Sequence, residues 1–84
     1  MQYVYILQST TDGYLYVGCT NDLQKRVRLH NSGKVESTRN RLPLTLVYYE
    51  AYRNKKDAFE REQFLKTGWG KRYIKKIFYH YLHS

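Results

Sequence analysis

Apolar and polar positions alternate along Tyr3-Val4-Tyr5-Ile6-Leu7 and again along Tyr14-Leu15-Tyr16-Val17-Gly18, with an Asp12-Gly13 turn between the two runs. Successive side chains of a strand point to opposite faces, so Tyr3 and Tyr5 share one face, Tyr14 and Tyr16 share one face, and Val4, Ile6, Leu15 and Val17 take the other. The two runs predict a hairpin. The period then lengthens: behind a capping Asn21 or Asp22, Leu23, Arg26, Val27 and His30 recur at helical spacing to about Asn31, and Gly33 suits the stop. A polar, arginine-rich loop from Ser37 to Pro43 leads to a strand-like run, Leu44 to Tyr52, centred on Leu46, Val47, Tyr48 and Tyr49. Asn54 caps a second helix, with Asp57 at the capping-box position and Gly68 at its end. From about Lys71, the residues Tyr73, Ile74, Ile77, Phe78, Tyr81 and Leu82 form one broad apolar stripe opposite Lys71, Lys75 and Lys76, which predicts a last helix that covers the core. The order is β-β-α-β-α-α, an α+β pattern.

Three charged or titratable residues break this pattern. Leu23 and Val27 mark the inward side of the first helix, and Arg26 and His30 complete that stripe instead of lying opposite it. On the second helix Ala58 and Leu65 are the inward markers, with Glu62 between them. An ionised group at a core edge costs several kcal/mol unless it is paired or coordinates an ion. One explanation is a structural Glu62–Arg26 bridge. The other is that the phenols, Arg26, His30 and Glu62 converge on a phosphate and a divalent cation. Phosphodiester hydrolysis needs a nucleophilic water, an acceptor for its proton, positive charge for the transition state and neutralisation of the departing oxygen, and this set can supply all four. A lone carboxylate suits Mg²⁺, which binds through one or two acids and keeps most of its waters. Arg26 suits the phosphate, because its planar fork donates to two oxygens.

Composition narrows the partner. The 84 residues fit one domain, 1–84, with a modest core and room only for a shallow site. The formal charge of +8 favours a polyanion, nucleic acid first. Beyond Glu62 the basic residues Lys66, Lys71, Arg72, Lys75 and Lys76 have no acid among them. The apolar runs fall far short of the ~20 residues a spanning helix needs, and the N-terminus lacks a secretory pattern, so a cytoplasmic protein is expected. Cys19 is the only cysteine, which excludes an internal disulfide and a multi-cysteine metal site. His80 and His83 do not make a zinc motif. No base-reading module is present, so structure- or strand-selective action is expected rather than site recognition.

In combination these residues resemble the GIY-YIG nuclease superfamily, most closely its small stand-alone bacterial branch of the UPF0213 type. Tyr3-Val4-Tyr5 takes the place of the first tripeptide and Tyr16-Val17-Gly18 that of the second. The run Thr20 to Val27 follows at the expected offset, His30 comes four residues after Arg26, and Ala58 to Lys66 resembles the glutamate helix, followed by Lys66-Thr67-Gly68-Trp69-Gly70. The resemblance implies a three-stranded antiparallel sheet flanked by three helices and a metal-dependent endonuclease acting on nucleic acid, DNA foremost, in a repair or processing context. It also implies roles. Tyr5 and Tyr16 orient or deprotonate the water, Arg26 binds the scissile phosphate, His30 takes part in proton transfer, Gly18 is structural at the site, and Glu62 holds Mg²⁺ or Mn²⁺. Whether Tyr5 or His30 is the general base stays open at this point, as does the choice between DNA and RNA. The first glycine of the family name is Tyr3 here, Cys19 stands where the excision-repair relatives carry a lysine, and no asparagine follows Asn54. A rival expectation from charge and aromatics is a binding module without catalysis, which uses Arg39, Arg41, Trp69, Lys71 and Arg72 for phosphate contacts and stacking and works with a protein partner.

Overall fold

The computed structural model describes residues 1–83. Its elements are strands β1 (Gln2–Ser9) and β2 (Leu15–Thr20), helix α1 (Leu23–Asn31), strand β3 (Leu44–Tyr52), and helices α2 (Lys55–Leu65), α3 (Gly68–Ile77) and α4 (Tyr79–Leu82). The sheet is antiparallel throughout, in the order β2-β1-β3, so the first strand is central and β2 is an edge. That position explains the composition of β1. It is covered on both faces, and Val4, Tyr5, Ile6 and Leu7 are all buried. Full burial of an aliphatic side chain contributes about 1.5–3 kcal/mol, so this short run is a large share of the core.

The alternation read from the sequence separates the two faces. Val4 and Ile6 pack with Ala58, Leu65 and Ile74 under α2 and α3, while Tyr5, Leu7 and Leu44 pack with Leu23 and Val27 of α1. Ile6 lies opposite Val17 and Tyr5 opposite Gly18, which puts Tyr5 and Tyr16 on the α1 face. Tyr14 lies outside the strand, more than half exposed, at the hairpin turn. There Gly13 has a φ of 77°, Asp12 accepts from Tyr14 N at 2.9 Å, and Arg41 reaches Asp12 at 3.0 Å and covers the Tyr14 ring.

Helix boundaries follow their caps. Asp22, rather than Asn21, accepts from Lys25 N at the start of α1, and Asn54 accepts from Lys56 N at the start of α2. The expectation that Gly68 ends the second helix needs correcting: α2 stops at Leu65, and Gly68 opens α3 instead. The reason is Thr67, whose hydroxyl accepts from Gly70 N and caps the new helix. Gly70 sits so close to the end of α2 that a Cβ there would overlap the Phe64 carbonyl and Leu65 backbone, so the elbow requires glycine. The last apolar stripe is also not one helix. It breaks at Phe78, whose φ of −134° and ψ of 47° are not helical, leaving Ile74 buried and Tyr73 and Tyr81 substantially exposed.

The segment between α1 and β3 is irregular but tied at several points. Asn31 donates to the Leu44 carbonyl and accepts from its N–H, at 2.9 and 2.7 Å. Ser9 Oγ donates to the Arg41 carbonyl at 2.7 Å, and Thr11 Oγ1 to that of Leu42 at 2.9 Å. These bonds satisfy backbone groups that no ladder reaches, and Thr38 in the same segment is fully buried, its N–H donating to the Val35 carbonyl at 3.1 Å.

Candidate active site

Because β2 is an edge strand, side chains from both faces of the sheet meet beside it. A hollow of about 210 Å³ opens there, lined by Tyr5, Tyr16, Gly18, Arg26, His30 and Glu62, with Val17, Cys19, Ser37, Thr38 and Lys66. Arg26 and His30 enter from α1 on one face, and Glu62 of α2 and Lys66, the residue that caps its C-terminal end, from the other. All five residues expected to act in catalysis, and the glycine expected to support them, therefore line one hollow. A larger, more open depression of about 850 Å³, along Arg53–Lys56, Phe59 and Glu60, brings no tyrosine or histidine to its one acid.

A chain of polar contacts organises the α1 side. Tyr5 Oη lies 3.0 Å from His30 Nε2 and accepts from Arg26 Nε at 3.3 Å. His30 Nδ1 lies 2.8 Å from Thr38 Oγ1, and that hydroxyl is 3.5 Å from the Val35 carbonyl. When Thr38 donates to Val35, it accepts from Nδ1–H, and Nε2 then carries the lone pair that receives the Tyr5 proton. Thr38 was not singled out by sequence, since nothing in a polar loop marks one threonine as the orienting partner of a helix histidine. Burial, and next the Arg26 charge, lowers the His30 pKa from its ordinary 6.5, so the imidazole is neutral at neutral pH. Burial raises the Tyr5 pKa from 10.0, against the opposing hydrogen bond and charge of Arg26. The Tyr5 phenol is thus protonated in the resting site.

Gly18 has a steric role. A Cβ built there would collide with the Tyr5 ring and its hydroxyl, so only glycine on β2 lets this phenol reach the hollow. Next to it, burial and then the Glu62 carboxylate push the Cys19 thiol up, which keeps it protonated and a poor nucleophile.

The Glu62–Arg26 bridge, one of the two explanations for these inward charges, is not formed. Arg26 turns to Tyr5, while Glu62 Oε2 accepts from Lys66 Nζ at 3.1 Å, one helical turn on. The Glu62 side chain is only 14% exposed, so it lines the hollow instead of facing bulk water. No group of three or more His, Cys, Asp or Glu residues suited to a metal is found among the described residues. A single carboxylate in a hollow that also holds a guanidinium does fit a hard cation of the Mg²⁺ type, whose remaining ligands would be waters and substrate oxygens. It does not fit a closed zinc centre.

The residues expected to contact nucleic acid are dispersed. Arg41 is engaged at the hairpin turn with Asp12 and Tyr14. Arg39 and Lys71 are exposed, and Trp69 is 71% exposed with the Arg72 guanidinium 4.5 Å from the centre of its ring. None of these lines the hollow.

A profile of the GIY-YIG catalytic domain matches residues 1–76. A UPF0213 protein of Clostridium perfringens is 48% identical over 67 residues, which cover 79% of this chain and 71% of that relative. One from Bacillus pumilus is 48% identical over 66 residues, covering 77% and 66%. The solution structure of a UPF0213 protein from Bacillus halodurans superposes with a TM-score of 0.57 at 35% identity, over 93% of this chain and 86% of that one. With the three-stranded antiparallel sheet and the two tyrosine-bearing strands already in place, the match makes this chain a member of the GIY-YIG family.

Proposed function

We propose that the chain is a divalent-metal-dependent endonuclease that hydrolyses phosphodiester bonds in nucleic acid, DNA foremost, with little base specificity. The observation that carries this reading is the shared hollow at the β2 edge, where phenol, imidazole, guanidinium and carboxylate lie together. Arg26 anchors its Nε on Tyr5, and its terminal amines, which bond no described residue, are free to receive two phosphate oxygens. His30, neutral and oriented by Thr38, takes the Tyr5 proton as Tyr5 takes a proton from the attacking water. The high Tyr5 pKa favours this coupled transfer over a free tyrosinate. Tyr16 directs the water from the adjoining wall. The water oxygen bonds to phosphorus, the bond to the leaving oxygen breaks, that oxygen takes a proton from solvent, and His30 returns the proton it received to solvent. Glu62 would hold the cation, Mg²⁺ or Mn²⁺, which would supply charge neutralisation during the displacement.

Labelled single-stranded, duplex, flap and RNA oligonucleotides incubated with Mg²⁺, Mn²⁺ or EDTA test the reading. Cleavage of at least one of them with metal, abolished by EDTA, is expected. Binding without cleavage across every metal and substrate would instead favour a recognition module that recruits a partner.

A further inference from the structure

Lys66 belongs to the hollow but has no part in the reaction as described. Its ammonium lies 3.1 Å from Glu62 Oε2, and no other side-chain hydrogen bond is made by either residue. The two partners are unequally exposed: Glu62 at 14% is confined, whereas Lys66 at 48% sits on a flexible stem that reaches solvent. A confined carboxylate needs a counter-charge, and Lys66 supplies it. A divalent cation at Glu62 would stand within a few ångströms of that ammonium. Two like charges so close repel even in a high-dielectric site, and the half-exposed lysine can withdraw without losing its hydration.

We infer that Lys66 is a displaceable internal counter-ion, which occupies Glu62 until a divalent cation takes the carboxylate and frees the ammonium for the polyanionic substrate. The inference rests on the assignment of the cation to Glu62. It makes Lys66 a competitor of the metal, so its removal tightens metal binding, the reverse of what loss of a metal-supporting residue does. Removing the competing ion pair and the like-charge repulsion together should raise affinity for the cation by roughly three- to tenfold.

The test is Mn²⁺ binding to the intact protein without nucleic acid, followed by electron paramagnetic resonance, for the wild type, Lys66→Met, Lys66→Gln and Glu62→Gln. Both Lys66 variants should bind Mn²⁺ more tightly than the wild type, and Glu62→Gln should lose the site. Equal or weaker binding by the Lys66 variants, including no binding by any of the proteins, overturns the inference. If Glu62→Gln binds as the wild type does, the cation assignment itself fails. If Glu62→Gln loses the site while the Lys66 variants gain nothing, only the role of Lys66 fails.

Discussion

At the scale of single residues, the site depends on a few close contacts that can be broken one at a time. Gly18→Ala would drive a methyl group into the Tyr5 ring. Overpacking of this kind typically costs about 1–3 kcal/mol, so a lowered melting temperature and a displaced Tyr5 are expected, read by calorimetry and by the Tyr5 ring resonances. Thr38→Val keeps the buried volume but leaves His30 Nδ1 without its partner. A buried polar group left unsatisfied costs about 1–3 kcal/mol, and Thr38→Ser should recover most of the loss in urea denaturation. The histidine can be followed directly. In an NMR titration His30 should titrate below its ordinary 6.5, and Arg26→Met should move it upward, because a neighbouring cation is removed. Its folded-state pKa is the lower one, so its contribution to stability is present above the ordinary histidine value and is lost as pH falls through the folded-state value. A His30 pKa above 6.5 in the wild type would contradict the resting protonation state used in the mechanism.

At the scale of elements, α2 is tied to the sheet by a network away from the hollow. Arg61 donates to both oxygens of Glu50 on β3, at 2.8 and 2.9 Å, and the same carboxylate accepts from Tyr48 and Tyr52 at 2.6 and 2.7 Å. Arg61 also stacks on Tyr73 of α3, 4.7 Å from its centre. Burial alone would raise the Glu50 pKa, but hydrogen bonds from Arg61, Tyr48 and Tyr52 outweigh it and hold the carboxyl down at about 2. The resulting stabilisation, on the order of 3 kcal/mol, is complete above the ordinary carboxylate range and is lost as pH falls through that range towards 2. Acid denaturation should therefore show a stability loss over that interval that Glu50→Gln diminishes. Because α2 also presents Glu62, a loosened network should reach the site.

The same scale shows what could be read in advance. Period-two alternation in β1 and β2 revealed which tyrosines share a face, and helical spacing showed that Arg26, His30 and Glu62 turn toward the sheet. The sequence predicts the break between α2 and α3 but places it too late, at Gly68 instead of after Leu65, because a glycine after a helix reads as a stop. Here Gly68 and Gly70 serve the start of the next helix and a close backbone approach. Spacing could not foretell that Glu62 pairs with Lys66 rather than Arg26. The choice depends on which wall of the edge strand each side chain reaches, and that is set by tertiary packing.

At the scale of the whole molecule, charge and sheet order act together. The chain carries +8, and its helical elements from Lys66 onward are basic without opposing acids. Such a charge attracts a polyanion at long range, while the proposed hydrolysis is confined to the hollow at the β2 edge. Affinity for an oligonucleotide should accordingly fall roughly ten- to a hundredfold between about 50 and 200 mM salt, as released counterions require. A flat salt dependence would deny the basic surface a part in binding. None of the helices among the described residues is long and apolar enough to cross a membrane.

The central claim is that the Glu62 carboxylate serves the chemical step at this hollow rather than the fold or the grip on nucleic acid. Single-turnover cleavage and equilibrium affinity, measured on one oligonucleotide with Mg²⁺ for the wild type and Glu62→Gln, test it most directly. A rate reduced by roughly a thousandfold or more, with affinity within about threefold, is the predicted result. A Glu62→Gln protein that cleaves at a rate close to that of the wild type would contradict it.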